Sequence, residues 1–214
     1  AGLVSYEMLL RLGRIEGVEG IKYTSSTVFD IFRIKEALGQ DFAVYSGSDE
    51  LAVSGLAFGA DGIIGSTYNV LTPLFLKLNA QMAAGDVIAA RETQKIANKL
   101  IFALLARGLM PSLKATLTLG GRVDGGISRR PFFQLTEEQH EALKAEYRAI
   151  KAAHGDLGLD FSRRSEIRAV SVIFHNIGRV QGSSPVRAPF ILNEEESPYV
   201  RFHVSRHDPA PRRF

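Results

Sequence analysis

Residues 17–24 read GVEGIKYT. Val18, Ile21 and Tyr23 suit a short strand, and Lys22 sits near its C-terminal end. A helix signal follows at once. Thr27 is placed to cap it, and Val28, Ile31, Ile34, Lys35 and Leu38 fall on roughly one face. A lysine that ends a buried strand loses hydration. Desolvation favours the neutral amine, which is able to attack a carbonyl. The plainer alternative is a lysine that snorkels out to water.

The pattern repeats. Phe42 to Tyr45 is a second short apolar run, closed by Ser46-Gly47-Ser48-Asp49-Glu50, with a helical stretch to Phe58. Asp61 to Ile64 is a third, closed by Gly65-Ser66-Thr67-Tyr68-Asn69, with a helix signal from Val70. Strand, loop and helix thus recur three times, which predicts a parallel sheet with helices outside. Lys22, the Asp49–Glu50 pair and Ser66 each fall at the C-terminal end of a strand. In a β/α barrel that end carries the chemistry, and polar groups there converge.

The segments GIKYTSS, YSGSDE and ADGIIGSTYN resemble the pyruvate-dependent class I aldolases of the N-acetylneuraminate lyase and dihydrodipicolinate synthase family. The resemblance runs from about residue 1 to 161. The GSTYN and GSDE loops are more similar to the sialic acid lyases of that family than to its synthases. The resemblance implies the C-terminal half of a TIM (β/α)8 barrel, with strands six to eight over residues 1–84. A C-terminal helical bundle would follow over 85–161, and 162–214 would be an unassigned basic tail. It implies that Lys22 is the imine-forming lysine and that Thr24, Gly47, Asp49, Glu50 and Ser66 bind substrate. It also implies a homotetramer, and it places a proton-shuttling tyrosine and a carboxylate-binding Gly-Thr-Thr loop on strands expected to be missing. On that view this chain alone turns over little substrate.

The residues by themselves leave alternatives open. Asp49 and Glu50 suit the first turn of the following helix as well as the hydroxyls of a sugar. Gly47 makes room for a ligand or permits an unusual backbone angle. Gly62 and Gly65 suit tight packing, or an anion-binding nest with the Ser66 and Thr67 amides. No Gly-rich run ends in Lys-Ser or Lys-Thr, so this is no nucleotide loop. All five histidines lie late in the chain, and only His203 and His207 have ligand-like spacing, with no third ligand nearby. No metal or other cofactor is expected.

Composition narrows the class. With 214 residues the chain is long enough for one good core. It has no Cys, hence no disulfide framework and no thiolate nucleophile, which suits a cytoplasmic setting. The net charge is only +3, and the arginines of the last third are scattered without interleaved aromatics, so no nucleic-acid partner is expected. No run is long and apolar enough to span a bilayer, and the start does not read as a signal peptide.

Elsewhere the punctuation is helical. A helix over the first sixteen residues is expected to end at Gly13. Pro73 suits an early turn of the next, Asp86 caps a long helix to Arg107, Gly108 stops it, and Thr136 opens another that Gly155 ends. Ala169 to Phe174 and Tyr199 to Val204 contain β-forming residues, and the final DPAPRRF reads as disordered.

Two function classes result. One is a carbon–carbon lyase that acts through a Schiff base on sialic acid, yielding pyruvate and N-acetylmannosamine. Its nearest variants are 2-keto-3-deoxy sugar acid aldolases and dihydrodipicolinate-type synthases. The other is a non-catalytic truncated barrel that associates with another copy or with a missing barrel half.

Overall fold

The computed structural model describes residues 4–120, 123–155, 157 and 172–174. Helix α1 spans Tyr6–Gly13, with Ser5 accepting from the Met8 amide at its start. Strand β1 is Gly20–Tyr23, and helix α2 is Asp30–Leu38. Strand β2 is Ala43–Ser46, and a 3-10 turn over Asp49–Leu51 leads into α3, Ala52–Ala57. Strand β3 is Gly62–Ile64. Four longer helices follow: α4 Tyr68–Ala83, α5 Val87–Leu105, α6 Leu109–Leu119 and α7 Glu137–His154.

Strands β1, β2 and β3 lie side by side and parallel, with Lys22 opposite Tyr45, Tyr23 opposite Ser46, and Ser46 opposite Ile63. Parallel neighbours need crossover helices, which α2 and α3 provide. Strand β4, Val172–Phe174, pairs antiparallel with β3. The tail segment expected to form a strand thus closes one edge of the sheet. The second expected tail strand, Tyr199 to Val204, and the terminal DPAPRRF lie outside the described residues.

The expected placement at strands six to eight of the barrel is corrected. The structure is a three-stranded parallel sheet in strand-then-helix order, followed by helices, consistent with the N-terminal part of a TIM barrel. Successive β/α units pack alike around such a barrel, so three of them carry no ordinal numbers of their own. The numbering came from the resemblance alone.

Caps explain most of the helix boundaries. Asp86 accepts from the Ala89 amide at 3.0 Å, as its position predicts. At α7, Thr136 and Gln139 form a reciprocal capping box, so Gln139 closes the signature that Thr136 opens. Thr27 does not cap α2. Its carbonyl takes the Asp30 amide in a preceding turn, and the helix starts two residues beyond the expected Val28.

Two apolar clusters hold the elements together. The larger joins Ile63 of β3 to Tyr68, Leu71, Phe75 and Leu78 of α4, Leu100 and Leu104 of α5, Leu113 of α6 and Leu143 of α7. The smaller packs Leu9 of α1 and Ile31 and Ile34 of α2 on Phe42, Val44 and Ala60.

Lys35 links the smaller cluster to the N-terminal ends of the strands. It falls on the same face of α2 as Ile31 and Ile34, and it is buried with them. Its Nζ donates to the carbonyls of Gln40 (2.8 Å) and Phe42 (3.1 Å) and to the Asp61 carboxylate (2.9 Å). Asp61 also accepts from the Val44 amide at 2.7 Å. One ammonium therefore ties α2 to the starts of β2 and β3. Removing Lys35 leaves two carbonyls and the partly exposed Asp61 carboxylate without this donor, so Lys35→Ala should cost about 1–3 kcal/mol in chemical denaturation. Lys35→Arg, which keeps the charge but not the geometry, should fall between the two. A cost below about 0.5 kcal/mol for Lys35→Ala would show the pair to be incidental.

Candidate active site

The parallel register brings the C-terminal ends of β1, β2 and β3 to one edge of the sheet. Lys22, Thr24, Gly47, Asp49, Glu50 and Ser66, all expected from sequence, line a single cleft there, with Ser48 and Thr67. Ile101, Leu105 and Leu109, from α5 and α6, supply its apolar wall.

Lys22 is exposed rather than buried. Its strand lies at the edge of the sheet, and among the described residues no strand flanks it on the other side. The loop after β2 keeps close to it: the Gly47 amide donates to the Tyr23 carbonyl at 2.8 Å, and the Ser48 hydroxyl to the Ser25 carbonyl at 3.1 Å. Gly47 itself is required by close approach. A Cβ there would sit 2.0 Å from Thr24 Oγ1 and 2.8 Å from Lys22 Cε. The glycine thus lets the lysine stem and the threonine pack directly on the loop.

The acidic pair divides. Both line the cleft, Glu50 half-buried and Asp49 only 6% exposed. Asp49 Oδ2 accepts from the Thr67 amide at 3.0 Å and from the Thr67 hydroxyl at 2.5 Å. Burial pushes the Asp49 carboxyl up from its ordinary range, against the Thr67 hydrogen bonds and the nearby Lys22, while Glu50 adds to the rise.

Sequence reasoning missed the groups that hold this loop. Gln94 of α5 donates to the Asp49 carbonyl at 3.0 Å and accepts from the Val53 amide at 3.1 Å. Asn98, one turn on, donates to the Glu50 carbonyl at 3.2 Å, and Gln94 also donates to Asn98 at 2.8 Å. The available signal was a pair of amides at i and i+4 on the apolar face of α5, where a buried polar side chain needs a partner. Among the described residues no three His, Cys, Asp or Glu gather as a metal site, and His203 and His207 lie outside them. No single described helix is long and apolar enough to cross a membrane.

The cleft thus sets a strand-end lysine beside an acidic loop at the C-terminal edge of a parallel sheet. The model of the dihydrodipicolinate synthetase family matches residues 3–152, and the chain belongs to that family. It is 45% identical over 125 residues to an N-acetylneuraminate lyase of Rhizobium meliloti, covering 58% of this chain and 41% of the relative. Among solved structures it resembles the N-acetylneuraminate lyase of Fusobacterium nucleatum complexed with pyruvate, at TM-score 0.64 and 27% identity, covering 70% of this chain and 50% of that one. It equally resembles a dihydrodipicolinate synthase of Bacillus anthracis, at TM-score 0.64 and 28% identity, covering 69% and 50%. The chain spans about half the length of these relatives.

The expectation of a C-terminal half is corrected at the same point. The match over residues 3–152, with its strand-then-helix order, is assigned to the N-terminal barrel part, and the match stops short of the expected residue 161.

The buried carboxyl makes stability depend on pH in a defined direction. A carboxyl whose pKa rises on folding stabilises fully below its unfolded value, and that contribution is lost as pH rises through the folded value. Wild type should therefore lose stability relative to Asp49→Asn as pH rises above the ordinary carboxylate range, about 4, in denaturant titrations at increasing pH. A pH-independent difference between the two proteins would refute the burial effect.

Proposed function

We propose that this cleft belongs to a Schiff-base aldolase acting on a 2-keto sugar acid, with N-acetylneuraminate as the substrate that fits best. The observation that carries the reading is Lys22, at the end of β1, sharing one cleft with Glu50 and Ser66 from the ends of the next two strands. The Lys22 amine adds to the C2 ketone and water leaves, giving a protonated imine. A base removes the C4 hydroxyl proton, and the C3–C4 bond breaks with its electrons drawn into the imine. The enamine takes a proton at C3, and hydrolysis frees pyruvate and returns Lys22. The aldehyde product is N-acetylmannosamine. Thr24 and Gly47 bound the pyruvate end, and Glu50 and Ser66 face the hydroxyls of the tail. These steps require no metal or nicotinamide.

The exposure of Lys22 bears on activity. A lysine nucleophile is activated by dry surroundings, and substrate must be clamped and deprotonated in register. In this reading residues 1–84 are barrel and 85–161 a bundle packed on it. The cleft becomes dry only when further barrel segments, or another copy in a homotetramer, cover its open side. A cytoplasmic setting accords with a chain free of cysteine. The synthase-type alternative is favoured by one observation, the equal structural likeness to a dihydrodipicolinate synthase.

Pyruvate with borohydride, followed by intact mass and peptide mapping, tests the lysine. The adduct should form on Lys22, slowly in the 214-residue chain and at least about tenfold faster in a version extended to the length of its relatives. An adduct on any other lysine of the extended protein overturns the assignment. In that same extended protein, Glu50→Ala should weaken N-acetylneuraminate turnover by about 1.5–3 kcal/mol while sparing pyruvate trapping. Equal turnover of a short, tail-less 2-keto acid would favour the alternative.

A further inference from the structure

The sheet is parallel except at one edge. Strands β1, β2 and β3 run the same way, and β4 runs against them. Gly62 lies opposite Phe174, Ile63 opposite Ile173 and Ile64 opposite Val172, so β4 takes up the whole length of β3. It also comes from outside the shared part of the chain. The family match covers residues 3–152, and β4 lies beyond it. The two outer edges of the parallel sheet are therefore treated differently. That of β1 has no neighbour among the described residues, whereas that of β3 is covered.

An edge strand presents a row of N–H and C=O groups that serve as a template for another strand. In a closed (β/α)8 barrel every strand has a parallel neighbour on each side. The outer edge of β3 is then where the next barrel strand pairs. Strand β4 is not that strand, because it runs the wrong way. Nor can both be present at once, because each needs the same N–H and C=O groups of β3. The ladder of β4 spans only three residues. That is at the short end for a strand, and a short ladder is the easier one to displace.

We propose that β4 is an edge guard: it occupies the outer edge of β3 and has to leave before a parallel strand of a completing barrel segment pairs there. The tail and barrel completion compete for one set of backbone groups. Until that segment arrives, the guarded edge is closed to unspecific strand pairing, while the edge of β1 stays open to a first parallel neighbour. This rests on the proposed function only in that completion is what dries the cleft around Lys22. The competition itself is a property of the backbone.

Amide hydrogen exchange tests the guard in two arms. In the first, the full chain is compared with its Val172→Pro/Ile173→Pro variant. Neighbouring residues of a strand send their N–H groups to opposite sides, so one of the two prolines removes a ladder donor whichever residue faces β3. The amides of Gly62–Ile64 that face β4 should exchange at least about tenfold faster in the variant. The Ala43 amide, which donates to the Glu19 carbonyl at 2.9 Å, should keep its rate. Unchanged exchange in β3 would show that β4 guards nothing. Lost protection at Ala43 as well would make β4 a support of the whole sheet. Either result overturns the proposal.

The second arm needs no substitution. The chain is extended to the length of its relatives, with residues 1–214 kept whole. Strand β3 should stay protected, while the Val172–Phe174 amides should exchange at least about tenfold faster than in the 214-residue chain, a parallel strand having taken their place. Equal protection of Val172–Phe174 in the two proteins overturns the proposal. Release of β4 without pyruvate capture at Lys22 would uphold the competition and count against the proposed function instead.

Discussion

One amide side chain, Gln94, connects the helical part of the chain to its candidate chemistry. The loop after β2 leaves the sheet as a 3-10 turn, and its carbonyls point toward α5 rather than toward water. A buried carbonyl without a partner costs free energy comparable to a lost hydrogen bond. Gln94 takes the Asp49 carbonyl and the Val53 amide together, and Asn98 takes the Glu50 carbonyl. The acidic loop therefore has one resting place, set by a helix more than forty residues further along the chain. Asp49 is bonded to Thr67 there, and Glu50 lines the cleft beside it.

The two ends of the parallel sheet do different work. At the N-terminal ends of the strands, Lys35 is buried and fully engaged with Asp61 and two carbonyls, an arrangement that favours stability. At the C-terminal ends, Lys22 is exposed and makes no such bonds among the described residues, held in place by its stem against Gly47. Two lysines of one chain thus occupy opposite roles, and strand polarity decides which is which. A lysine poised for carbonyl chemistry has to remain uncommitted until the substrate arrives.

The periodicity of the first seventy residues was sufficient to read three strand–loop–helix units, and the strand ends named Lys22, Asp49, Glu50 and Ser66, which line one cleft, whereas Thr24 came from the resemblance alone. Local signals did less well wherever the decisive partner was distant. Lys35 fell on the apolar face of α2, but its role stayed hidden because nothing in its own helix reveals Asp61, twenty-six positions away. Thr27 read as a cap because the turn formed by its own carbonyl competes with the capping geometry. Gln94 and Asn98 looked like ordinary helix residues, since the carbonyls they satisfy belong to another element. Lys22 read either as desolvated at a strand end or as reaching out to water, and the choice depends on strands beside β1, which no local pattern reports. The ordinal position of the strands was likewise beyond local reading, because β/α units repeat the same pattern.

The central claim is that α5 holds the acidic loop in place through Gln94. The most direct measurement is amide hydrogen exchange at Val53, whose N–H is bonded to the Gln94 side chain at 3.1 Å. Gln94→Leu keeps a side chain of similar bulk on α5 and removes both hydrogen bonds to the loop. The account predicts that the Val53 amide exchanges at least about tenfold faster in Gln94→Leu, while the Val44 amide, bonded to Asp61 at the far end of the sheet, keeps its wild-type rate. Equal exchange at Val53 in the two proteins would contradict it.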